Sequence, residues 1–303
     1  MKSISYIIPH YENIKGIKRL LNSIELHNND EVIIVDDCSD DKIYQEVLRL
    51  KSTNIRVFST IKNGGAGKAR NIGLELAKNT WVLFADSDDY FIDNYYKELV
   101  CFLEKNKLEV VYFAPTSIIE NPNSSVRGNR HEYYEYLIRN YDGKSIDKLN
   151  DLQFKMVVPW SKLIKREFLS SNNIRFDEVM VSNDIMFSAR VAVHSRYIQK
   201  SDYPIYCCSE NNNSMTSDIS FKKTKLRLLE FIKYYKYIED NLSTEEFKKV
   251  NLTGFSFIFL AIRSKYKLWQ LKELYLMIRK NNIPIINRKY IRNTIVRLLI
   301  RKE

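Results

Sequence analysis

The chain has 303 residues, a formal charge of +11, 13% aromatic residues and four cysteines. That length suits one large α/β domain, or one domain with an appendage, and is ample to bury a core. Cys38, Cys101, Cys207 and Cys208 fit neither zinc spacing nor a redox pair, and no apolar run approaches the roughly 18 residues that span a bilayer.

In chain order, Ser3 to Ile8 reads as a buried strand stopped by Pro9. Asn13 is placed to cap a helix carrying Ile14, Ile17, Leu20, Leu21 and Ile24 on one face. Glu31 to Val35 is a second strand, Asp41 to Lys51 a helix, and Ile55 to Ser59 a third strand. A loop at Asn63-Gly-Gly-Ala-Gly67 opens a helix over Lys68 to Lys78. Trp81 to Ala85 is the fourth strand, Asn94 to Lys105 a helix, and Glu109 to Phe113 the fifth strand. Strands alternating with helices predict βαβ units and a largely parallel sheet. Beyond a loop at Asn121 to Ser125, the pattern gives a Tyr-rich helix over His131 to Asn140 and an extended Val157 to Trp160. Helices over Arg166 to Ser170 and Asn183 to His194 follow, with Asn183 as a candidate cap, and then a strand over Tyr203 to Cys208. After a boundary near Ser217 to Ser220 the spacing is helical throughout: Thr224 to Tyr237, Glu245 to Leu260, Leu268 to Arg279 and Tyr290 to Leu299.

Three features stand at the ends of successive strands. Asp36 and Asp37 follow the second strand, where a carboxylate accepts hydrogen bonds from a base or ribose; capping of the next helix by Asp36, Asp37 or Ser39 is the alternative. The Gly-rich helix start at Asn63 and Gly64 offers backbone N–H groups to phosphate, and Arg70 adds a bidentate-capable charge. The loop matches neither GxGxxG nor a Walker A sequence. The fourth strand ends in Asp86-Ser87-Asp88-Asp89, hard oxygen donors that suit Mg²⁺ or Mn²⁺ beside phosphates. A solvated turn, with Asp89 or Asp93 capping the following helix, is the alternative there.

With these residues in place, the sequence resembles the family 2 glycosyltransferases of the GT-A fold. The likeness rests on Pro9-His-Tyr-Glu12, Val35-Asp-Asp-Cys-Ser39, Asn63-Gly-Gly, Ala69-Arg-Asn-Ile-Gly73 and Phe84-Ala-Asp-Ser-Asp-Asp89. It continues in Trp160-Ser-Lys-Leu-Ile-Lys-Arg-Glu-Phe-Leu169, Ile174-Arg-Phe-Asp-Glu178, Asn183-Asp-Ile-Met-Phe187 and Asn213-Ser-Met-Thr216, which are similar to the acceptor half of bacterial capsule and lipopolysaccharide members. The resemblance implies a Rossmann-like, mainly parallel sheet flanked by helices. It also implies inverting transfer of a hexose or N-acetylhexosamine from a nucleoside diphosphate sugar, UDP-linked by expectation, with Mn²⁺ or Mg²⁺. Position by position, Pro9, Tyr11, Glu12, Asp36, Asp37, Asn63, Gly64, Arg70, Asp86 and Ser87 are the expected donor-binding residues. Asp86 and Asp88 are the expected metal ligands, and Asp184 the general base that takes a proton from the acceptor hydroxyl. Two positions depart from the family's pattern: Glu12 stands where Asn is usual, and Asn183 where Glu usually precedes the base. The catalytic domain is expected over residues 1–219, with a nucleotide-sugar half to 115 and an acceptor half from 116. A nucleotidyltransferase would also gather carboxylates and Mg²⁺ beside phosphates, but its Gly-rich loop belongs nearer the N-terminus, where Pro9-His-Tyr-Glu12 has no glycine. The intact Asp86, Asp88 and Asp184 argue against a non-catalytic nucleotide-binding scaffold.

Residues 220–303 lie outside the resemblance and hold 20 Lys and Arg against 7 Asp and Glu. Two readings remain for this segment: a helical subdomain with a solvated basic face, or attachment to an anionic membrane surface carrying a lipid-linked acceptor. No recognised nucleic-acid-binding motif is present. Because the chain opens on a strand pattern, no secretory leader is expected, and the expected location is the cytoplasm or the inner face of the cell membrane.

Overall fold

A computed structural model describes residues 3–27, 29–121, 124–210 and 218–286. The chain divides into two compact units, Met1–Asn212 and Asn213–Glu303. In the first unit the four leading apolar runs become β1 (Ile4–His10), β2 (Glu31–Asp36), β3 (Ile55–Ser59) and β4 (Trp81–Phe84). Helices α1 (Ile14–Ser23), α2 (Asp41–Leu48) and α3 (Ala66–Leu76) connect them. Then come β5 (Tyr90–Phe91), α4 (Tyr95–Leu103), β6 (Val110–Asn121), β7 (Ser124–Arg127), α5 (Glu132–Asn140) and α6 (Ile146–Lys155). The unit closes with β8 (Lys162–Lys165), α7 (Arg166–Ser171), α8 (Asn183–His194) and β9 (Ile198–Glu210).

One sheet runs in the order β3-β2-β1-β4-β8-β6-β9-β5, with β7 paired to β6. The pairs β1–β2, β1–β4, β2–β3 and β6–β9 are parallel, whereas β8 is antiparallel to both β4 and β6. The reversal at β8 restores direction, so β1, β2, β3, β4, β6 and β9 all point to one edge, and β5, β7 and β8 oppose them. The chain leaves β1 toward β2 on one side and returns to β4 on the other. That opens a crevice beyond the C-terminal ends of β1 and β4, the place where open α/β sheets bind ligands. Every residue of β1 is buried, as is β2 from Val32 onward, which is why these strands read as continuous apolar runs.

The structure corrects several expectations. Just beyond the extended segment at Val157 to Trp160 lies a strand the sequence did not announce, β8, whose terminal lysines break the apolar run that would mark it. The fifth strand runs to Asn121 rather than Phe113, with register shifts on either side of Ala114, next to Pro115. The expected seam between residues 115 and 116 therefore falls inside β6. Helix α6 carries no clean apolar stripe, because Asn150 and Gln153 are among its buried residues.

The second unit contains α9 (Phe221–Asn241), α10 (Thr244–Val250), α11 (Phe255–Arg263) and α12 (Leu268–Lys280) around Leu228, Ile232, Tyr235, Ala261, Leu274, Ile278 and Ile283. The single helix expected over Glu245 to Leu260 is two. Asn251 enters the left-handed region at φ 57° and ends α10, and Gly254 precedes α11. No described helix is long and apolar enough to cross a membrane. The expected helix at Tyr290 to Leu299 and the Asn213-Ser-Met-Thr216 motif lie outside the described residues.

Candidate active site

The nucleotide end forms where β1 and β2 finish. Pro9, which lacks an N–H donor, is paired with β2 beyond the last β1–β4 pair. Tyr11 follows the strand and is 53% exposed. His10 is buried; its Nδ1 lies 2.7 Å from Asp36 Oδ1, and its Nε2 accepts the Asn13 N–H at 3.2 Å, a pattern that places the ring proton on Nδ1. Asp36 also accepts the Ser39 N–H at 2.9 Å and the Ser39 hydroxyl at 2.7 Å. Despite burial, these bonds hold its carboxyl below the usual range. Asp36, expected to reach a base or ribose, thus ties β1, β2 and the following turn together. It does not cap α2, whose N-cap is Asp40.

Asp37 organises the glycine loop. Its carboxylate accepts from Gly64 N at 3.0 and 3.2 Å, Gly65 N at 2.6 Å and Thr60 Oγ1 at 3.0 Å, while Asn63 Nδ2 donates to its carbonyl at 3.1 Å. The Gly64 and Gly65 N–H groups, expected to face phosphate, are therefore held by Asp37. Glu12 sits at φ 54°, a left-handed conformation that Asn adopts more readily than Glu. Its Oε1 accepts the Asp40 N–H at 2.5 Å and its own N–H donates to Ser39 Oγ at 2.9 Å, linking the turns after β1 and β2.

The acidic end lies beyond β4. Asp86, Asp88 and Asp89 each place a carboxylate oxygen within 4.8 Å of the others. Asp89 is fully buried and accepts the Ser209 N–H at 2.8 Å through Oδ1; its Oδ2 is buried with no partner among the described residues. Burial and the neighbouring carboxylates raise the pKa of Asp88, and that of Asp89 well above the ordinary range. Asp89 is thus no helix cap but a third member of the cluster, one that the sequence reading left out of the ligand set. Three crowded hard donors and one orphaned buried oxygen fit a divalent cation. The turn is braced from α1: Asn13 Oδ1 caps Gly16 N at 3.0 Å, and Asn13 Nδ2 lies 3.5 Å from the Ser87 carbonyl. A Cβ on Gly16 would stand 2.4 Å from that carbonyl oxygen, so only glycine lets α1 approach so closely.

Arg70 lies in α3 and is buried. It donates to Asp86 Oδ1 and, at 2.8 Å, to Asn183 Oδ1, with its guanidinium 5.3 Å from the Phe176 ring centroid. The charge expected to face a diphosphate is thus engaged by Asp86 and the start of α8. Asn183 is not the cap of that helix; Ser182 holds the N-cap position at φ 53°. The approach of α3 to α8 depends on Gly67, where a Cβ would meet the Asp177 carbonyl at 2.4 Å and Asn183 Cβ at 3.0 Å. Asn71 exchanges hydrogen bonds of 3.0 and 2.8 Å with the Phe176 backbone and pins the segment preceding α8.

Asp184 is half-buried in the first turn of α8. Burial, with Asp86 nearby, raises its pKa; Arg70 and Lys162 pull it back. A carboxylate so placed can accept a proton from a hydroxyl. Sequence reasoning missed the residues that come from distant elements. The Tyr206 hydroxyl accepts the Asp86 N–H at 2.8 Å, and its ring stacks on Trp160 at 5.5 Å. Arg130, just before α5, has its backbone N–H on Glu210 Oε1 at 2.8 Å. Against its burial, the nearby carboxylates of Asp89, Asp86 and Asp88 favour the charged Arg130 guanidinium. No local pattern marks Arg130; it reaches the cluster because β6 and β9 end at the same sheet edge as β4.

Residues 5–171 match the family model described as glycosyl transferase family 2. The poly(ribitol-phosphate) beta-N-acetylglucosaminyltransferase TarS of Staphylococcus aureus (strain Mu50 / ATCC 700699) is 29% identical over 205 residues, 65% of this chain and 34% of TarS. The chain thus aligns with about one third of that relative's length. The crystal structure of S. aureus TarS 1–349 in complex with UDP-GlcNAc superposes with a TM-score of 0.59 at 22% identity, covering 93% of this chain and 88% of that one. The mannosyltransferase PcManGT from Pyrobaculum calidifontis, in complex with GDP-Man and Mn²⁺, gives 0.57 at 17% identity over 91% of this chain and 74% of its own. These likenesses show the GT-A fold. Since the family model covers more than half of the sequence, the chain belongs to glycosyl transferase family 2.

Proposed function

We propose that the chain transfers a hexose or N-acetylhexosamine from a UDP-sugar to a saccharide hydroxyl, with inversion, in the synthesis of a bacterial surface polysaccharide. The observation that carries this reading is the Arg70 bridge. One buried guanidinium holds both Asp86 of the acidic cluster and Asn183, the neighbour of Asp184. It keeps a proton acceptor beside a cation and diphosphate site. Exposed Tyr11 offers its ring to the base, and the frame of Asp36, Asp37 and Asn63 shapes that end of the crevice. Asp86, Asp88 and Asp89 would hold Mn²⁺ or Mg²⁺, which supplies charge stabilisation to a departing diphosphate. Arg130 adds a protein cation at the same end. Asp184 takes the acceptor proton as the hydroxyl attacks the anomeric carbon, and a single displacement inverts that centre.

A lipid-linked acceptor at the inner membrane face fits the second unit. There Phe259, Ile262, Leu268 and Trp269 are exposed among Arg263, Lys265, Lys267 and Lys272. The test is release of UDP from a panel of UDP-sugars by purified protein, with and without Mn²⁺. Donor-dependent, metal-stimulated release is expected. Failure to bind any nucleoside diphosphate sugar under any metal condition overturns the reading.

A further inference from the structure

Lys162 is the odd residue of β8. It is 0% exposed, in a strand flanked by β4 and β6, yet it carries an ammonium group. Such groups are rare in cores unless they serve a partner. Its Nζ donates to the Met156 carbonyl at 2.6 Å and to Ser188 Oγ at 3.3 Å, and it lies 5.4 Å from the Tyr112 ring centroid. Ser188 is four residues after Asp184 on α8, so the two share a helix face, and helical side chains lean toward the N-terminus. The ammonium therefore sits beneath the helix face that presents Asp184.

We propose that Lys162 is a positioning residue for transfer: a buried cation that anchors α8 and keeps Asp184 in its carboxylate form. This rests on Asp184 acting as the base. Four groups act electrostatically on Asp184 from the elements around it: Arg70 of α3, Lys162 of β8, Asp86 after β4 and Tyr134 of α5. Arg70 is shared with Asp86, whereas Lys162 interacts with Asp184 alone among the carboxylates; its other neighbours, Met156 O, Ser188 and Tyr112, are neutral. Burial drives the Lys162 pKa down to about 7, and Asp184 resists that shift. Each charge thus favours the other, as reciprocal coupling requires.

The experiment is the pH profile of kcat/KM for full-length wild type, Lys162→Met, Lys162→Gln, Lys162→Arg and Asp184→Asn, read as UDP release. Both neutral variants should move the acidic limb upward by roughly one pH unit, and Lys162→Arg should return it toward wild type. A limb that stays in place in a folded neutral variant overturns the proposal. Retention of the limb in Asp184→Asn instead overturns the base assignment and leaves the Lys162 result to be read separately. Should both neutral variants fail to fold, the Lys162 titration followed by ¹³Cε-lysine NMR decides. It should move to lower pH in Asp184→Asn, and an unmoved titration overturns the coupling.

Discussion

Asp37→Asn separates two roles that the sequence leaves merged: contact with a nucleotide and construction of the loop that faces it. Asp37 is 3% exposed, and its carboxylate serves three donors, the N–H groups of Gly64 and Gly65 and the Thr60 hydroxyl. An asparagine keeps one oxygen and turns an NH₂ toward either Gly65 or the Thr60–Gly64 pair. Hydrogen bonds to a charged acceptor are worth about 1.5–3 kcal/mol each, and at least one is lost while the remainder become neutral. The expected cost is about 3 kcal/mol, a large share of the stability of an ordinary domain. Urea unfolding measures the loss. Amide hydrogen exchange locates it, because the Gly64 and Gly65 amides should lose protection before the strands do. A stability change below about 1 kcal/mol with unaltered exchange at both glycines, alongside lost nucleotide binding, would refute the reasoning and make Asp37 a ligand contact.

Further outcomes follow from the same geometry. Asp89→Asn retains an acceptor for the Ser209 N–H and removes the carboxylate that a bound cation would draw on, so its melting temperature without metal should match wild type while Mn²⁺ affinity falls, read by calorimetric titration. Asp88 and Asp89 have raised pKa values, and a carboxyl raised in the folded state stabilises most at low pH and loses that contribution as pH rises through its folded pKa. Mn²⁺ should therefore raise the melting temperature more at pH 8 than at pH 5; equal increments would count against a cation bound by these groups. Gly16→Ala should cost roughly 1–3 kcal/mol and weaken metal-dependent nucleotide binding, because the added methyl drives α1 off the Ser87 carbonyl. Replacing Lys265, Lys267 and Lys272 by Glu in the full chain should abolish low-salt flotation with anionic vesicles, at about 1 kcal/mol per charge; flotation equal to wild type removes the membrane role.

The parallel half of the sheet was legible because both faces of β1, β2 and β4 are covered, which forces continuous apolar runs. Where burial involves polar groups, the pattern fails. β8 hides its position behind Lys162, and α6 buries Asn150 and Gln153. In the second unit the helical period continues through Glu245 to Leu260, but a single backbone torsion at Asn251 ends α10. Periodicity records which faces are apolar; it does not record where one residue turns left-handed.

The site shows the same division between residue type and partner. Carboxylates at strand ends were visible as a class, since β2 and β4 deliver them to the edge where the sheet opens. What each carboxylate does depended on partners more than a dozen residues away. His10 engages Asp36 from β1, Gly64 and Gly65 engage Asp37 from the loop before α3, and Ser209 engages Asp89 from β9. Arg70 shows this dependence on distant partners most plainly. Read alone, an arginine after a glycine loop suggests phosphate. In the fold it is buried between Asp86 and Asn183 and joins the two halves of the crevice instead. We infer that a leaving diphosphate draws its protein cation from Arg130, on which all three carboxylates of the cluster act. If so, Arg70→Lys should disorder the start of α8 and depress both donor binding and transfer, because a single ammonium cannot span two acceptors. Arg130→Met should spare the fold and depress transfer far more than donor binding, since charge on the leaving group is greatest in the transition state. Donor binding and single-turnover transfer, measured on both variants, distinguish these outcomes. The opposite pattern would return the phosphate role to Arg70.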